Sequence, residues 1–210
     1  RGGASRSGGG RAIAPPLHTA TTYIRDPDNR YRSGRVYGRD DNPTYDHAEA
    51  VLAALEGGAE ALVFASGMAA ATAVFQALAP GDPVVAAKVM YWALRNWVTG
   101  FARHWGLDVD LVDTDRFDDL RAAMRPGRTK LVWLETPANP TWVVTDIAAA
   151  AEIAHAAGAR LAVDSTVATP VLTRPLALGA DIVMHSATKY LNGHSDVVNG
   201  VLAIGPIEAL

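Results

Sequence analysis

A lysine and two hydroxyl residues follow directly on a short apolar run in the segment IVMHSATKY. Ile182 to Met184 form the apolar run, and Ser186, Thr188 and Lys189 lie within five residues of its end. A lysine after a buried strand usually extends into water, since lysine is rarely buried without a partner. An amine can also attack a carbonyl to form a Schiff base, and hydroxyls can hold an anion beside it. The residues after the other predicted strands decide between these two interpretations.

Polar and aromatic residues follow those other strands as well. Gly67 and Met68 open a predicted helix after ALVFA, where free backbone N–H groups can bind an anion. Tyr91 follows PVVAAK, Asn139 lies between two prolines after KLVWLE, and Asp164 ends RLAVD. Each has a structural alternative, because a serine-glycine pair is an ordinary helix cap and aromatic residues usually pack.

Together these groups match the requirements of pyridoxal phosphate. That cofactor needs a lysine for a Schiff base, an acid beside its pyridinium nitrogen, and donors for its phosphate. A carboxylate at the nitrogen keeps it protonated, so that the ring can accept electrons. The sequence therefore predicts a pyridoxal phosphate enzyme in which Lys189 is the reactive amine and Asp164 is the acid.

Short apolar strands alternate with helices over most of the chain. The predicted helices are TYDHAEAVLAALEGG, GMAAATAVFQALA, Trp92 to His104, RFDDLRAAM and DIAAAAEIAHAAG, and the predicted strands are ALVFA, PVVAAK, LDVDLV, TKLVWLE, RLAVD, ADIVMH and GVLAIG. This alternation predicts an α/β fold, a three-layer sandwich in which helices cover both faces of a mostly parallel sheet. Ligands of such folds bind beyond the carboxyl ends of the strands. We therefore expect the residues named above to meet there.

Composition narrows the class of protein. The 210 residues are 49% hydrophobic and 20% charged, which is ordinary for a globular protein. The formal net charge of −3 argues against a nucleic-acid partner, and the absence of cysteine excludes disulfides and thiol catalysis. A cysteine-free chain fits a reducing compartment, so we expect a cytoplasmic protein. No metal site is expected, since His104 and His155 fall in separate predicted helices.

One uncharged stretch has nearly the length of a membrane span. Residues 61–79 carry no formal charge, but Ser66-Gly67 interrupts them and Thr72 and Gln76 dilute their second half. We therefore predict a strand, a turn and a helix, with no membrane association. The beginning of the chain also lacks the apolar core of a signal peptide.

The chain divides into an irregular beginning and an ordered remainder. Arg1 to Arg11 is rich in glycine and arginine, and prolines at positions 15, 16 and 27 interrupt the segment that follows. We predict a partly flexible N-terminal arm over residues 1–42 and a cofactor-binding large domain over residues 43–210.

Five segments, in this order and spacing, resemble the Cys/Met-metabolism family of pyridoxal phosphate enzymes. They are YGRDDNPTY (37–45), LEGGAEALVFASGMAA (55–70), ETPANPT (135–141), VDSTVATP (163–170) and PLALGADIVMHSATKYLNGHSDVVNG (175–200). This family comprises cystathionine γ-synthases, cystathionine lyases, O-acylhomoserine sulfhydrylases and methionine γ-lyase. The resemblance runs from about Pro15 to Gly205. It implies the large domain of a fold-type I, aspartate-aminotransferase-like enzyme.

The resemblance also implies roles for the matching residues. Lys189 would bind the cofactor covalently and move protons, Asp164 would pair with the pyridinium nitrogen, and Tyr91 would stack on the ring and assist proton transfer. The phosphate would be bound by Gly67, Met68, Ser186 and Thr188. Asn139 would lie near the ring hydroxyl.

The N-terminal arm is implied to serve a second subunit. Tyr37 and Arg39 match a pair that family members lend to the phosphate site of their neighbour, and a guanidinium suits phosphate well. The resemblance therefore implies a homodimer or homotetramer in which each arm completes the neighbouring site.

The implied reaction is γ-replacement on an activated homoserine, or β/γ-elimination of a cystathionine-type amino acid, in trans-sulfuration and methionine biosynthesis. Two alternatives remain open: an aminotransferase on the same cofactor, and a truncated cofactor-binding fragment without turnover. The second arises because family members continue for about as many residues again. Their small C-terminal domain, which contributes an arginine for the substrate carboxylate, is expected to be absent here.

Two local departures from the family pattern lie at the expected site. Tyr91-Trp92-Ala93-Leu94 stands where Tyr-Gly-Gly-Thr is common, so that an indole replaces a glycine at the rim. Asp164-Ser165-Thr166 stands where Asp-Asn-Thr is common, which is a milder exchange. We expect no direct chemistry from His185 or His194, since packing and loop hydrogen bonds account for them.

Overall fold

A computed structural model describes residues 13–205 and shows a seven-stranded sheet. The strands are β1 Glu60–Phe64, β2 Pro83–Ala87, β3 Asp108–Val112, β4 Leu131–Glu135, β5 Arg160–Asp164, β6 Ile182–His185 and β7 Gly200–Ile204. They lie in the sheet in the order β1-β7-β6-β5-β4-β2-β3. Each predicted strand is therefore confirmed, with ends that lie within two residues of the prediction.

All strands but one run in the same direction. β7 is antiparallel to both of its neighbours, β1 and β6, whereas the other neighbouring pairs are parallel. Six carboxyl ends therefore lie along one edge of the sheet. The amino end of β7 lies at that edge too, so the segment between β6 and β7, residues 186–199, leaves and re-enters the sheet on the same side.

Alternate residues of the central strands contact different helical layers, because side chains of a strand point to opposite faces in turn. Val84 and Ala86 of β2 belong to one apolar cluster, together with Phe75 and Leu94, whereas Val85 belongs to a second. The helices are α1 Pro43–Glu56, α2 Gly67–Gln76, α3 Trp92–Trp97, α4 Arg103–Trp105, α5 Phe117–Ala123, α6 Ile147–Ala156 and α7 Thr169–Leu172. Residues of α2 and α3 lie in the first cluster and residues of α5 and α6 in the second. This confirms the predicted three-layer α/β fold.

The helix boundaries follow ordinary capping chemistry. Ser66 precedes α2 and its hydroxyl accepts a hydrogen bond from the Ala69 amide at 3.0 Å. Asp146 caps α6 in the same way, through the Ala149 amide at 3.1 Å. Gly57 follows α1 with a φ of 73°, a left-handed conformation that glycine adopts without strain.

The predicted helix from Trp92 to His104 is continuous, but its central part is not α-helical. A π-helical segment, Val98–Ala102, separates α3 from α4. The hydroxyl of Thr99 donates to the Arg95 carbonyl oxygen at 2.9 Å and so competes with the backbone for that acceptor. Gly100, in the same segment, favours the helix least of the ordinary residues.

The apolar spacing of α1 misidentifies its buried side in part. Val51 and Leu55 recur at the spacing of an apolar helix face, which predicts that they are buried, yet they are 45% and 42% exposed. Ala53 and Glu56 are the buried residues of this helix. Burial of an acid at the end of an apolar helix requires a partner, and His185 of β6 provides it.

Glu56 and His185 form a buried pair between α1 and β6. Nε2 of His185 donates to Oε1 of Glu56, while Oε2 of Glu56 and Nδ1 of His185 have no partner within residues 13–205. Replacing Glu56 with alanine would leave a fully buried imidazole without this acceptor. We expect the free energy of unfolding to fall by about 3 kcal/mol, measured by urea denaturation. Glu152→Ala, on the exposed side of α6, is the control, and an equal loss in both variants would contradict this assignment.

Contacts divide the chain into two units, residues 1–48 and residues 49–210. The described part of the first unit is held together by a β-bridge between Thr22 and Tyr37 and by the guanidinium of Arg35, which pairs with Asp41 and Asp46. The glycine-rich stretch from Arg1 to Arg11 lies outside the described residues. The predicted division at residue 42 stays a prediction. Within residues 13–205, no helix combines the length and the apolar character that crossing a membrane requires.

Candidate active site

A chain of hydrogen bonds joins the ends of β5 and β6. The hydroxyl of Thr166 donates to Oδ1 of Asp164 at 2.5 Å, and the Thr166 amide donates to the same oxygen at 3.0 Å. The Ser186 amide in turn donates to the Thr166 hydroxyl at 2.8 Å. Lys189 lies in the turn that begins at Ser186, since its amide donates to the Ser186 carbonyl at 3.0 Å. These hydrogen bonds therefore connect Asp164 directly to the HSATKY segment, residues 185–190.

The amino end of α2 approaches the same segment. A Cβ placed on Gly67 would lie 2.7 Å from both Cβ and Oγ of Ser186, closer than side chains tolerate. The amides of Gly67 and Met68, the first two of α2, donate no hydrogen bond to any acceptor in the described part of the chain. Free amides at the start of a ten-residue helix carry a partial positive charge and attract anions.

Asp164 is an almost fully buried carboxyl without an ion-pair partner in the described part of the chain. Its residue is 6% exposed, and within residues 13–205 no lysine, arginine or histidine forms an ion pair with it. Burial raises the pKa of the Asp164 carboxyl above its ordinary value, while the two hydrogen bonds from Thr166 and the nearby charge of His185 oppose that rise. A cation bound beside Asp164 would favour its ionised form.

Glu135 is a residue of this site for which the sequence predicted no role. It ends β4 opposite Asp164 of β5, and it is 6% exposed. Its Oε2 accepts from the Tyr91 amide at 2.5 Å and its Oε1 accepts from the Asn139 amide at 2.9 Å. Burial and the charge of Asp164 raise the pKa of Glu135 to about 7. The signal was present in the sequence, because LVWLE, like RLAVD, places an acid directly after apolar strand residues.

Tyr91, Asn139 and Lys189 present exposed side chains at this edge of the sheet. Tyr91 is 41% exposed, and its ring lies 6.1 Å from the ring of Trp92, which is itself 68% exposed. Asn139 and Lys189 are also exposed. Thr188 differs from them: its hydroxyl donates to the Asn199 carbonyl and accepts from the Asn199 amide, both at 3.0 Å. The donor that the resemblance assigns to phosphate is therefore already used within the segment that precedes β7.

Tyr37 and Arg39 lie in the first unit, residues 1–48. The guanidinium carbon of Arg39 lies 5.1 Å from the centre of the Tyr37 ring, and the Arg39 side chain is 80% exposed. Its contact with Asp40, at 3.9 Å, is long for an ion pair. The guanidinium therefore keeps donors free for an anionic group.

Gly67→Ala tests the close approach of α2 to Ser186. The added methyl group would force the two segments apart, and we expect a loss of about 1–3 kcal/mol in the free energy of unfolding. Gly100→Ala is the matched control, because a Cβ at Gly100 meets no atom within 4 Å and alanine favours a helix. Urea denaturation of both variants measures the difference. Equal stability of the two would show that the approach is looser than described.

Curated relatives resemble this chain over most of its length. It is 43% identical over 195 residues to cystathionine gamma-lyase of Homo sapiens, covering 92% of this chain and 48% of that protein. It is also 43% identical over 197 residues to L-methionine gamma-lyase of Porphyromonas gingivalis, covering 90% of this chain and 49% of that protein. The chain thus spans about half the length of these relatives.

Solved structures show the same resemblance. The crystal structure of metB from Corynebacterium glutamicum superimposes with a TM-score of 0.89 at 40% identity, covering 94% of this chain and 51% of that one. Cystathionine gamma-lyase from Lactobacillus plantarum, complexed with L-serine, superimposes with a TM-score of 0.87 at 36% identity, covering 92% of this chain and 50% of that one. The sequence model of the Cys/Met metabolism PLP-dependent enzymes matches residues 1–209. This chain therefore belongs to the Cys/Met metabolism family of PLP-dependent enzymes.

Proposed function

We propose that the chain is the cofactor-binding part of a pyridoxal phosphate enzyme of sulfur amino-acid metabolism. The proposed reaction is β/γ-elimination of a cystathionine-type substrate or γ-replacement on an activated homoserine. The observation that carries the proposal is the hydrogen-bonded path from buried Asp164 through Thr166 to Ser186, three residues before Lys189. The names of the relatives, cystathionine gamma-lyase and methionine gamma-lyase, agree with it.

The donor set fits pyridoxal phosphate at both ends. Asp164 is a buried carboxyl that has no ion-pair partner among the described residues, and its Oδ2 receives no hydrogen bond from them. A protonated ring nitrogen is such a partner. Gly67 keeps the space beside Ser186 clear of a side chain, and the free amides of Gly67 and Met68 suit a phosphate. Acid and anion site thus lie at neighbouring parts of one sheet edge.

Each remaining residue has a distinct proposed task. When bound, pyridoxal phosphate supplies an aldehyde that bonds to an amine and a ring that accepts electrons from the adjacent carbon. Lys189 provides the amine, and its Nζ takes up and returns protons. Tyr91 offers an exposed ring face and Asn139 an exposed amide for the ring and its hydroxyl. For Thr188 we propose an indirect task, since its hydroxyl holds Asn199 and so shapes the segment around Lys189.

We further propose a homodimer or homotetramer in which Tyr37 and Arg39 complete the phosphate site of a neighbouring subunit. The exposed guanidinium of Arg39 above the Tyr37 ring supports this. Light scattering gives the oligomeric state. Mixing an Arg39→Ala variant with a Lys189→Ala variant tests the exchange, because a hybrid dimer would regain one intact site. For the compartment we propose the cytoplasm, which the cysteine-free sequence supports.

The reaction is tested by product analysis on this chain and on a longer chain that covers the rest of the relatives' length. Both are supplied with pyridoxal phosphate and cystathionine. Release of pyruvate or 2-oxobutyrate with ammonia supports elimination. Transfer of the amino group to an added keto acid without release of ammonia would instead identify an aminotransferase. Turnover by the longer chain alone would identify residues 1–210 as a cofactor-binding part that needs the remainder.

A further inference from the structure

One buried carboxylate joins two loops of the site. Glu135 ends β4, Tyr91 follows the neighbouring strand β2, and Asn139 follows Glu135 itself by four residues. Each carboxylate oxygen accepts one amide hydrogen bond, from Tyr91 at 2.5 Å and from Asn139 at 2.9 Å. The backbone positions of Tyr91 and Asn139 therefore both depend on this side chain.

An acid is a costly choice at this position. β4 is buried on both faces, and its other residues are Leu131, Val132, Trp133 and Leu134. A buried carboxylate is unfavourable unless it is hydrogen-bonded. A carboxylate offers two equivalent acceptor oxygens, whereas the side-chain amide of glutamine offers one. Aspartate also has two such oxygens, but its side chain is shorter by a methylene group. The demand for two acceptors explains why glutamate is present.

Both acidic and basic side chains lie around Glu135. Asp164 lies opposite on β5. A cavity of about 180 Å³ on the other side is lined by Glu135 together with Asp113, Asp115 and Arg116. Asp113 is 3.4 Å from Lys88, and Arg116 is 3.6 Å from Asp119. No lysine, arginine or histidine within residues 13–205 forms an ion pair with Glu135. Among these charged groups, Asp164 is the one whose repulsion raises the pKa of Glu135.

We propose that Glu135 is a positioning residue that holds the Tyr91 and Asn139 loops at the spacing required by the cofactor site. The part of this inference that concerns the cofactor rests on the proposed function, whereas the tie between the loops does not. Glu135 touches neither substrate nor cofactor in this role. It acts through the two backbone amides.

A second consequence is that the protonation of Glu135 responds to a cation bound beside Asp164. The pKa of Glu135 is about 7 because it is buried and because Asp164 repels its charge. A cation beside Asp164 offsets that repulsion, lowers the pKa of Glu135 and releases its proton. Binding is then stronger above the ligand-free pKa than below it. A fall of one unit would strengthen binding about fivefold between pH 6 and pH 8.

Amide hydrogen exchange tests the tie without any ligand. In Glu135→Ala we expect the Tyr91 and Asn139 amides to exchange about tenfold faster, because each loses its acceptor. In Glu135→Gln we expect faster exchange at one of the two, since one oxygen remains. The Ala149 amide, held by Asp146, is an internal reference that should not change. Unchanged exchange at both Tyr91 and Asn139 in Glu135→Ala would overturn the proposal.

Cofactor binding tests the link to the site. The dissociation constant of pyridoxal phosphate is measured from pH 6 to pH 8 for the wild type, Glu135→Gln and the exposed control Glu152→Gln. Titration of the cofactor itself is common to all three, so the difference between variants isolates Glu135. We expect weaker binding and a smaller pH dependence in Glu135→Gln only. Identical profiles in all three would refute this response of Glu135.

The two tests separate the two proposals. If wild-type chain bound no pyridoxal phosphate, the proposed function would fail, yet faster exchange at Tyr91 and Asn139 in Glu135→Ala would still establish the tie. If the wild type bound the cofactor and the Glu135 variants behaved like the wild type in both measurements, the role of Glu135 would fail alone. Urea denaturation of every variant identifies any that is simply misfolded, and Glu135→Gln, nearly isosteric, is then the informative one.

Discussion

Replacing Lys189 with alanine is expected to abolish covalent capture of pyridoxal phosphate by this chain. The side chain is exposed in a turn, so its removal should change the free energy of unfolding by no more than about 0.5 kcal/mol. The visible absorption of the bound cofactor, and the mass added to the chain after borohydride reduction, both measure the capture. Turnover of the assembled enzyme should fall at least about a hundredfold, as expected when a proton-transferring group is lost.

Lys88→Ala is the matched control for this experiment. Lys88 follows β2 at the same edge of the sheet, and its side chain is 56% exposed and 3.4 Å from Asp113. A cofactor spectrum that disappears in the Lys189 variant alone assigns the anchor. If both variants and the wild type gave the spectrum of free pyridoxal phosphate, the chain would not form a working site by itself. If the Lys189 variant retained the added mass, another amine would be the anchor.

Replacing Asp164 with asparagine is expected to weaken cofactor binding without weakening the fold. An asparagine oxygen can still accept from Thr166, so the path to Ser186 survives. The charge beside the ring nitrogen is lost, and a hydrogen bond to a charged group contributes about 1.5–3 kcal/mol. We therefore expect the dissociation constant of pyridoxal phosphate to rise about ten- to a hundredfold, measured by absorption or fluorescence titration.

The stability of the ligand-free Asp164→Asn variant provides an independent test of the environment of Asp164. Burial raises the pKa of Asp164 in the folded chain, so this group favours folding at acidic pH and the benefit is lost as the pH rises through the folded value. Asp164→Asn should thus be no less stable than the wild type at pH 7, and the two should converge in acid. Asp113→Asn, at the end of β3, is the control for carboxyl-to-amide exchange. Full elimination activity in Asp164→Asn would refute its assignment.

The outline of the site could be predicted from the sequence because its residues directly follow short apolar runs. Apolar runs such as RLAVD and ADIVMH form buried strands, and helices between them force those strands to be parallel. The residues that end each run or directly follow it must then lie at the common carboxyl edge, as Asp164 and Ser186 do. The glycine at position 67 could be placed for the same reason, since it opens the helix directly after β1.

Contacts between distant segments could not be foreseen in this way. The Tyr91 amide and Glu135 are 44 residues apart, and Glu56 and His185 are 129 residues apart. No period or motif relates such pairs, because a strand or helix pattern describes only which side of an element is apolar. The same limit explains α1, where Val51 and Leu55 fit the apolar stripe but Glu56 is the residue that is buried.

The amino-acid pattern alone is enough to predict the succession of strands and helices along the chain, the edge of the sheet at which the site forms, and the residue types available there. Hydrophobic periodicity and parallel βαβ connectivity are sufficient for this, since both act over short distances along the chain. Which of these residues form hydrogen bonds, and which carboxyls are buried away from water, depends on contacts that form only in the folded chain. The pKa of a group such as Glu135 depends on burial and on a neighbouring charge across the sheet. Those two quantities exist only once β4 and β5 lie side by side.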